Sequence, residues 1–486
     1  MEISEKIFSK IAAEAMTEYH IPGLAFAVTD QNKTLFEYTD GVCDLVSRKP
    51  ITRHTHFAMA SCTKSVTAAL IGMLVDEGVL DYDVPVKYYL NDFQMYDPFA
   101  AESLTLRDIL CHRSGIGGHE GMWPSEMSHK EFLEKLRYLE PNVPFRYCSQ
   151  YSSVMYTAAG YIAELAAGKP WEALVREKLI KPLGMTESGF SAEEMVRTGD
   201  YASGHYLYEN RLEKMPVWEM RGAEPAASLY SNLEDMEKWV RFQLAEGLFE
   251  QRRLISKKNM QQMHQSQMAR SFKPWVFDEC PDVGGFGMGW MIRVYRGLKM
   301  IFHHGEIEGY CSLQVLVPQL NRAFVMMANR HSSCHGFFYT LLFTALDMIL
   351  GIEIPDWGRR LSEKAGTASD AEVVISADAV LGFEPCGDQR LSGSLCSGVY
   401  YHPAYGTVVV HEDGDNMIME FRQQRLPLHH LEGNIYQVMR LKEDTLFMTL
   451  PVQFRIIGTK VDALAVPLEP SVAAIVFKKQ TDCGKQ

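Results

Sequence analysis

Phe57-Ala58-Met59-Ala60-Ser61-Cys62-Thr63-Lys64 leads into an apolar run, Val66, Ala69, Leu70, Met73 and Leu74, that ends at Gly78. The apolar spacing is that of a helix. On a helix, positions i and i+3 share a face, so the Ser61 hydroxyl and the Lys64 ammonium are expected side by side at its N-terminus. A serine hydroxyl is a poor nucleophile until a partner takes its proton. A neighbouring cation and the positive end of the helix dipole both favour a developing alkoxide. By itself S-x-x-K also describes a capped helix with a solvated lysine, so its meaning rests on what surrounds it.

On the N-terminal side, Ile3, Ile7, Ile11, Ala12 and Met16 give residues 3–18 a helical period, which Pro22-Gly23 breaks. Leu24–Thr29 then reads as a buried strand, Asp30-Gln31-Asn32 as a turn and Thr34–Tyr38 as its hairpin partner. A second strand-rich region lies between Met288 and Met327, with strands at Trp290–Val294, Lys299–Phe302, Cys311–Val317 and Ala323–Met327. Residues 60–260, between the two groups, are mainly helical in pattern. This order predicts an α+β fold: one antiparallel sheet built from N- and C-terminal strands, flanked by helices, with an inserted helical region. Residues 362–391 are rich in Ala, Ser, Gly and Asp and read as a linker between a first unit, 1–361, and a last one, 392–486. In the last unit Val399-Tyr400-Tyr401, Thr407–Val410, Met417–Phe421 and Leu446–Leu450 alternate with Asp/Gly turns, which predicts a small all-β domain.

Composition narrows the function. The 486 residues are 47% hydrophobic and 22% charged, as in an ordinary globular chain. Forty-eight Lys and Arg against 61 Asp and Glu leave a net charge of −13, which disfavours nucleic acid and anionic membranes as partners. Met1-Glu2-Ile3-Ser4-Glu5-Lys6 lacks a basic start, and Phe337–Leu350, interrupted by Asp347, is too short to span a bilayer. It reads as a buried helix, and a cytoplasmic location is the expectation. The ten cysteines are scattered without C-x-x-C and read as buried free thiols, Cys62 included.

Phe57–Lys64 resembles the nucleophile helix of the serine β-lactamase and penicillin-binding-protein superfamily, in its class C-like branch, which also holds esterases, D-aminopeptidases and D-alanyl carboxypeptidases. Leu104–Ile116 is similar to that branch's T-L-R-D-L-L-x-H-x-S-G-L segment, and Lys181–Met185 to its P-L-G-M turn. The resemblance implies Ser61 as nucleophile and Lys64 as its partner. A Tyr-x-Asn element should follow, and Tyr147 and Tyr151 compete for it; counting back nine residues from Gly160 selects Tyr151. Tyr151 is expected to relay the Ser61 proton as a phenolate, its pKa lowered by Lys64. Ser153 stands where the branch has asparagine.

Phe302-His303-His304-Gly305-Glu306-Ile307-Glu308-Gly309-Tyr310 matches the H-x-G-x-x-x-G-F form of the third element. This puts His303 in the Lys/His position and lets substrate lie against Gly305. It pairs the backbone N–H of Glu306 with that of Ser61 as an oxyanion hole. Metal ligation by His303 and His304 is the alternative, and it lacks a suitably spaced carboxylate. His119 and Trp123, on a Gly-rich loop, and Tyr310 are further pocket candidates. His54-Thr55-His56 reads as strand surface and His112 as packing of the helical region. Ser397–Gly406 is similar to the opening of lipocalin-like domains appended to some of these hydrolases. The resemblance implies a serine hydrolase acting on an amide of a small peptide, with carboxylesterase or acyltransferase activity as the second reading. No metal or organic cofactor is expected, and homo-oligomers occur in such relatives. A catalytically silent scaffold is the rival, and Ser153 is its one supporting feature.

Overall fold

The computed structural model describes residues 2–123, 127–208, 211–217, 219–273, 275–331, 334–367, 383, 390–414, 416–422, 424–438, 450–469 and 471–480. Among these, the largest sheet has eight antiparallel strands. Their order across the sheet is Thr34–Gly41, Gly23–Thr29, Arg322–Ala328, Tyr310–Val317, Leu298–Ile307, Met291–Tyr295, Gly284–Phe286 and Met268–Ala269. The N-terminal hairpin thus pairs directly with the last strand of the second group, Leu24 opposite Ala328 and Thr29 opposite Ala323. This is the α+β architecture expected from strands at both ends of a helical insertion.

Strand Gly23–Thr29 is buried along its whole length because both faces of the sheet are covered. Side chains alternate across a strand. Leu24, Phe26 and Val28 pack with Phe8 of the Glu5–Glu18 helix and with Phe337 and Leu341 of the Cys334–Leu350 helix. Ala25 and Ala27 face the other core, built from the inserted helices around Leu70, Tyr156 and Trp239. The Cys334–Leu350 helix is buried as expected, and Asp347 within it is satisfied by Tyr295 Oη at 2.7 Å, Arg296 Nε at 2.9 Å and Trp357 Nε1 at 3.0 Å. Buried and fully partnered, this carboxylate is a fold element. Among the described residues no helix is long and apolar enough to cross a membrane.

Eight C-terminal strands, from Gly398–His402 to Ile475–Lys479, pair in chain order and close into a barrel. This is the all-β, lipocalin-like domain that the sequence predicts. The predicted strand at 446–450 lies, but for Leu450, outside the described residues. The predicted linker begins inside the Trp357–Thr367 helix and continues mostly outside them. One local expectation is corrected: His56 is not on a strand surface. It is buried, with Nδ1 2.7 Å from the Asp200 carbonyl and Nε2 3.0 Å from that of Glu187, because residues 187–201 close over it.

Candidate active site

The nucleophile candidate sits on a single tight turn. Ala60 takes a left-handed φ of 46°, Ala60–Cys62 forms a 3-10 turn, and the Thr63–Asp76 helix continues from it. A buried alanine held in that region stores backbone strain, a feature that concentrates at functional sites. The turn is stitched to the sheet. The Cys62 thiol donates to the His303 carbonyl at 3.3 Å, and Ser312 Oγ donates to the Met59 carbonyl at 2.8 Å. Gln314 Nε2 donates to Ser65 Oγ at 2.8 Å. A Cβ on Gly305 would lie 2.1 Å from the Met59 carbonyl, so only glycine lets the strand pass this close to the turn.

Lys64 Nζ donates to Ser61 Oγ at 3.0 Å and to the Ala226 carbonyl at 3.1 Å. Its ammonium lies 5.0 Å from the centre of the Tyr151 ring. Lys64 is wholly buried, and the loss of hydration brings its pKa down to about 7, with Glu120 and Cys62 pulling the other way. An amine that is half neutral near pH 7 and touches the hydroxyl is a competent base.

Tyr151, and not the 74% exposed Tyr147, lines the cavity with Ser61. Its ring centre lies 4.4 Å from that of His112, the two rings tilted by 32°, and His112 Nδ1 accepts from the Ser152 N–H at 3.1 Å, so His112 positions this residue. Burial pushes the phenol pKa well above its ordinary value, and the hydrogen bond with Ser61 offsets only part of that. The expected phenolate is therefore corrected: Tyr151 is a neutral phenol and Lys64 is the titrating member of the pair.

His303 is buried on the strand behind the cavity. Its Nδ1 lies 2.5 Å from the His304 carbonyl, which can only accept, so the proton is on Nδ1. Nε2 is then an acceptor, and it is buried without a partner. Desolvation lowers the pKa to about 3, with Lys64 adding to the effect, and the ring is neutral. A neutral acceptor here does not do what a lysine would do for a bound carboxylate.

The cavity occupies about 460 Å³ and holds Ser61, Tyr151, His303 and Glu306 together with Glu120, Arg270 and Arg293. Glu120, Arg270 and Arg293 are residues that sequence reasoning missed. Ser153 Oγ donates to Glu120 Oε1 at 3.0 Å, so a serine–glutamate pair stands where the resemblance led us to expect an asparagine amide. The Glu120 carboxylate is accessible from the cavity yet ringed by protein, and desolvation raises its pKa against the pull of Lys64. Its neighbour His119 was the candidate, but His119 adopts φ 45° and the following 3-10 turn, Glu120–Met122, sends the two side chains different ways. His119 points into the barrel, where Nδ1 meets Tyr405 Oη at 2.7 Å. Trp123 does not line the cavity either; its carbonyl accepts from Arg422. Tyr310 is also displaced from the expected place: its hydroxyl is committed to the Ala202 carbonyl at 2.7 Å, and it lines a separate small cavity with Phe190 and Tyr230. Cys62 is buried with its thiol pKa pushed up to about 12, which leaves it unreactive.

A serine hydrolase is the class of protein that this fold and this geometry define. The chain belongs to the β-lactamase family, whose Beta-lactamase model matches residues 8–342. It is 26% identical over 435 residues to an unguisins hydrolase of Aspergillus campestris, covering 85% of this chain and 78% of that one. It is 28% identical over 345 residues to penicillin-binding protein 4 of Amycolatopsis lactamdurans, covering 70% and 89%. Among solved structures, an octameric penicillin-binding protein homologue from Pyrococcus abyssi matches over 98% of this chain and 100% of its own, with a TM-score of 0.61 at 22% identity. EstCE1, described as a hydrolase with promiscuous acyltransferase activity, matches over 67% and 93% with a TM-score of 0.56 at 16% identity. These structural likenesses are likenesses of fold.

Proposed function

We propose that the protein hydrolyses an amide of a small peptide through an acyl-enzyme on Ser61. The observation that carries the reading is the 3.0 Å contact between the Ser61 hydroxyl and an amine whose pKa burial has brought near 7. Ser61 Oγ attacks the carbonyl carbon while Lys64 takes its proton. The negative charge on the carbonyl oxygen is met by the backbone N–H groups of Ser61 and Glu306. The C–N bond then breaks, and Tyr151 passes a proton to the leaving amine and recovers one from Lys64. Water attacks the ester by the reverse route and frees Ser61. His303 Nε2 accepts a substrate N–H and orients the acyl group. Acids and guanidinium groups in one cavity suit a short charged peptide better than a plain apolar ester, and D-residues are within this reading.

The relative named an unguisins hydrolase supports hydrolysis as the reaction, and the acyl transfer ascribed to EstCE1 supports transfer to an amine as a second outcome of the same acyl-enzyme. We read residues 1–361 as the hydrolase unit and 392–486 as the barrel unit, with 362–391 joining them, and a homo-oligomer as its form. The octamer of the Pyrococcus protein supports the last point. A fluorophosphonate probe followed by intact-mass analysis tests the chemistry: one adduct, on Ser61, is expected. Turnover of L- and D-aminoacyl anilides, short esters and a cephalosporin then ranks the substrates. Activity that survives Ser61→Ala ends the proposal, and absence of labelling under conditions that label a control esterase favours a silent scaffold.

A further inference from the structure

In a barrel whose strands pair in chain order, alternate connections fall at the same end. The turns after His402, after Phe421 and after Val466 therefore share one end of the C-terminal barrel. Each carries a side chain that reaches the loop containing Glu120. Glu469 Oε2 accepts from the backbone N–H of His119 at 2.7 Å, Tyr405 Oη meets His119 Nδ1 at 2.7 Å, and Arg422 donates to the Trp123 carbonyl. The loop is glycine-rich because the barrel lies against it. A Cβ on Gly117 would stand 2.9 Å from Ser471 Oγ, and one on Gly121 would stand 3.0 Å from the Tyr405 ring. Glu469 and His119 are buried in the contact. On its other side the same loop is tied to the segment between Tyr151 and Ser153, Ser152 Oγ donating to the Gly117 carbonyl at 2.7 Å.

We propose that the C-terminal barrel is a working part of the active site, with Glu469 as a positioning residue that holds Glu120 in the cavity beside Lys64. This rests on the serine-hydrolase reading above. The loop's left-handed His119 does not by itself select one direction for residue 120; the barrel does, by gripping the backbone on both sides of it. Glu120 matters to the chemistry because its charge opposes release of the Lys64 proton. Besides Glu120, Lys64 faces Cys62, the rings of Tyr151 and Tyr156, and the neutral His112 and His303. Glu120 in turn faces Lys64, Ser153, Glu308 and Glu469. Freed from the barrel, Glu120 leaves this circle and Lys64 loses a negative neighbour, so its proton is released at lower pH.

The test follows the rate of fluorophosphonate labelling at Ser61 against pH in the full chain. Glu469→Ala is expected to move the acid limb down by roughly half a unit or more, as Glu120→Gln does. It should also cut kcat/KM on the best substrate by about ten- to a hundredfold. In the double variant the two changes should not add. Glu469→Gln keeps an acceptor for the His119 N–H and loses the charge, and it should restore the wild-type limb. A limb moved equally by Gln and Ala would assign the effect to the charge of Glu469 and overturn the positioning role. So would a Glu469→Ala protein that melts lower but labels with an unchanged pH profile. Should Glu469→Ala fail to fold, Tyr405→Phe decides the matter by the same shift or its absence. A wild-type protein that is not labelled at Ser61 overturns the hydrolase reading, and this inference with it; a labelled wild type with unmoved variants overturns this inference alone.

Discussion

Ser153 and Glu120 stand 3.0 Å apart, hydroxyl to carboxylate, at the wall of the cavity that holds Ser61. The bond steadies a carboxylate that burial penalises, and it places that carboxylate within the field of Lys64. Removing the donor leaves Glu120 with one fewer partner and a higher pKa. Ser153→Ala is expected to lower kcat/KM by about tenfold, in line with roughly 1.5 kcal/mol for a hydrogen bond to a charged group. Steady-state kinetics on the best anilide or ester of the panel checks this, and an unchanged value would show that the pair is idle.

The pH dependence follows from Lys64. The amine must be neutral to take the Ser61 proton, and its pKa is lowered to about 7. Activity should therefore rise with pH through about 7 and level off above it. The limb is not that of a histidine, because burial takes His303 down to about 3. A kcat/KM profile from pH about 5 to about 9 decides this, and a limb that persists in His303→Gln but vanishes with Lys64→Arg assigns it.

Stability also rises with pH through the same residue, over a window that lies above the activity limb. Between about 7 and the ordinary 10.5 the unfolded chain binds the lysine proton and the folded chain has released it, so stability rises with pH across that window. Below about 7 both states hold the proton, and the full cost of a buried ammonium is present. Lys64→Met removes that cost. Its Tm should exceed wild type by about 2–4 °C below pH 7, with the advantage shrinking as pH rises toward 10.5, and its activity should be absent. Thermal melts across pH read the sign directly.

Gly305→Ala probes the passage of the strand under the nucleophile turn. The added methyl would meet the Met59 carbonyl at 2.1 Å and Ser312 Oγ at 2.3 Å. The turn must shift, at a cost of about 1–3 kcal/mol as for other overpacked sites, and labelling of Ser61 should fall more than stability does. Denaturant unfolding beside labelling rates separates the two effects.

Cys62→Ser tests a quieter contact. The thiol bonds the His303 carbonyl at 3.3 Å and is inert because burial raises its pKa to about 12. A hydroxyl can make the same bond, so Cys62→Ser should keep most activity, whereas alkylating reagents should leave the wild-type activity intact. Loss of activity on alkylation, with the adduct mapped to residue 62, would contradict the inert thiol.

Much of this protein is written locally. Alternation of Leu24, Phe26 and Val28 with Ala25 and Ala27 announces a strand between two cores, and the spacing from Ser61 to Lys64 puts two side chains on one helical face, because both depend on fixed repeats of the backbone. Gly160 picks Tyr151 over Tyr147 only through the spacing that the family resemblance implies, since Tyr151 precedes the Ser153–Ala167 helix that carries Gly160. That the two groups of strand-like runs share one sheet was legible from where they fall along the chain, whereas their order across it comes from the structure.

What the repeats do not carry was decided in three dimensions. Neither the neutral Tyr151 nor the near-neutral Lys64 is visible in sequence, because both follow from how much water the surrounding chain excludes. His119, Trp123 and Tyr310 lie where the motifs put them along the chain, yet the side chains of His119 and Tyr310 are taken up by Tyr405 and Ala202, and Arg422 holds the Trp123 carbonyl. Glu120 enters the cavity since Glu469, 349 positions away, grips the backbone next to it; for the directly bonded pair, His119 and Glu469, the separation is 350. Short-range spacing sets the Ser61 hydroxyl beside the Lys64 amine by geometry that the chain makes alone, while the charges around them arise from residues brought together only when distant segments pack and expel solvent.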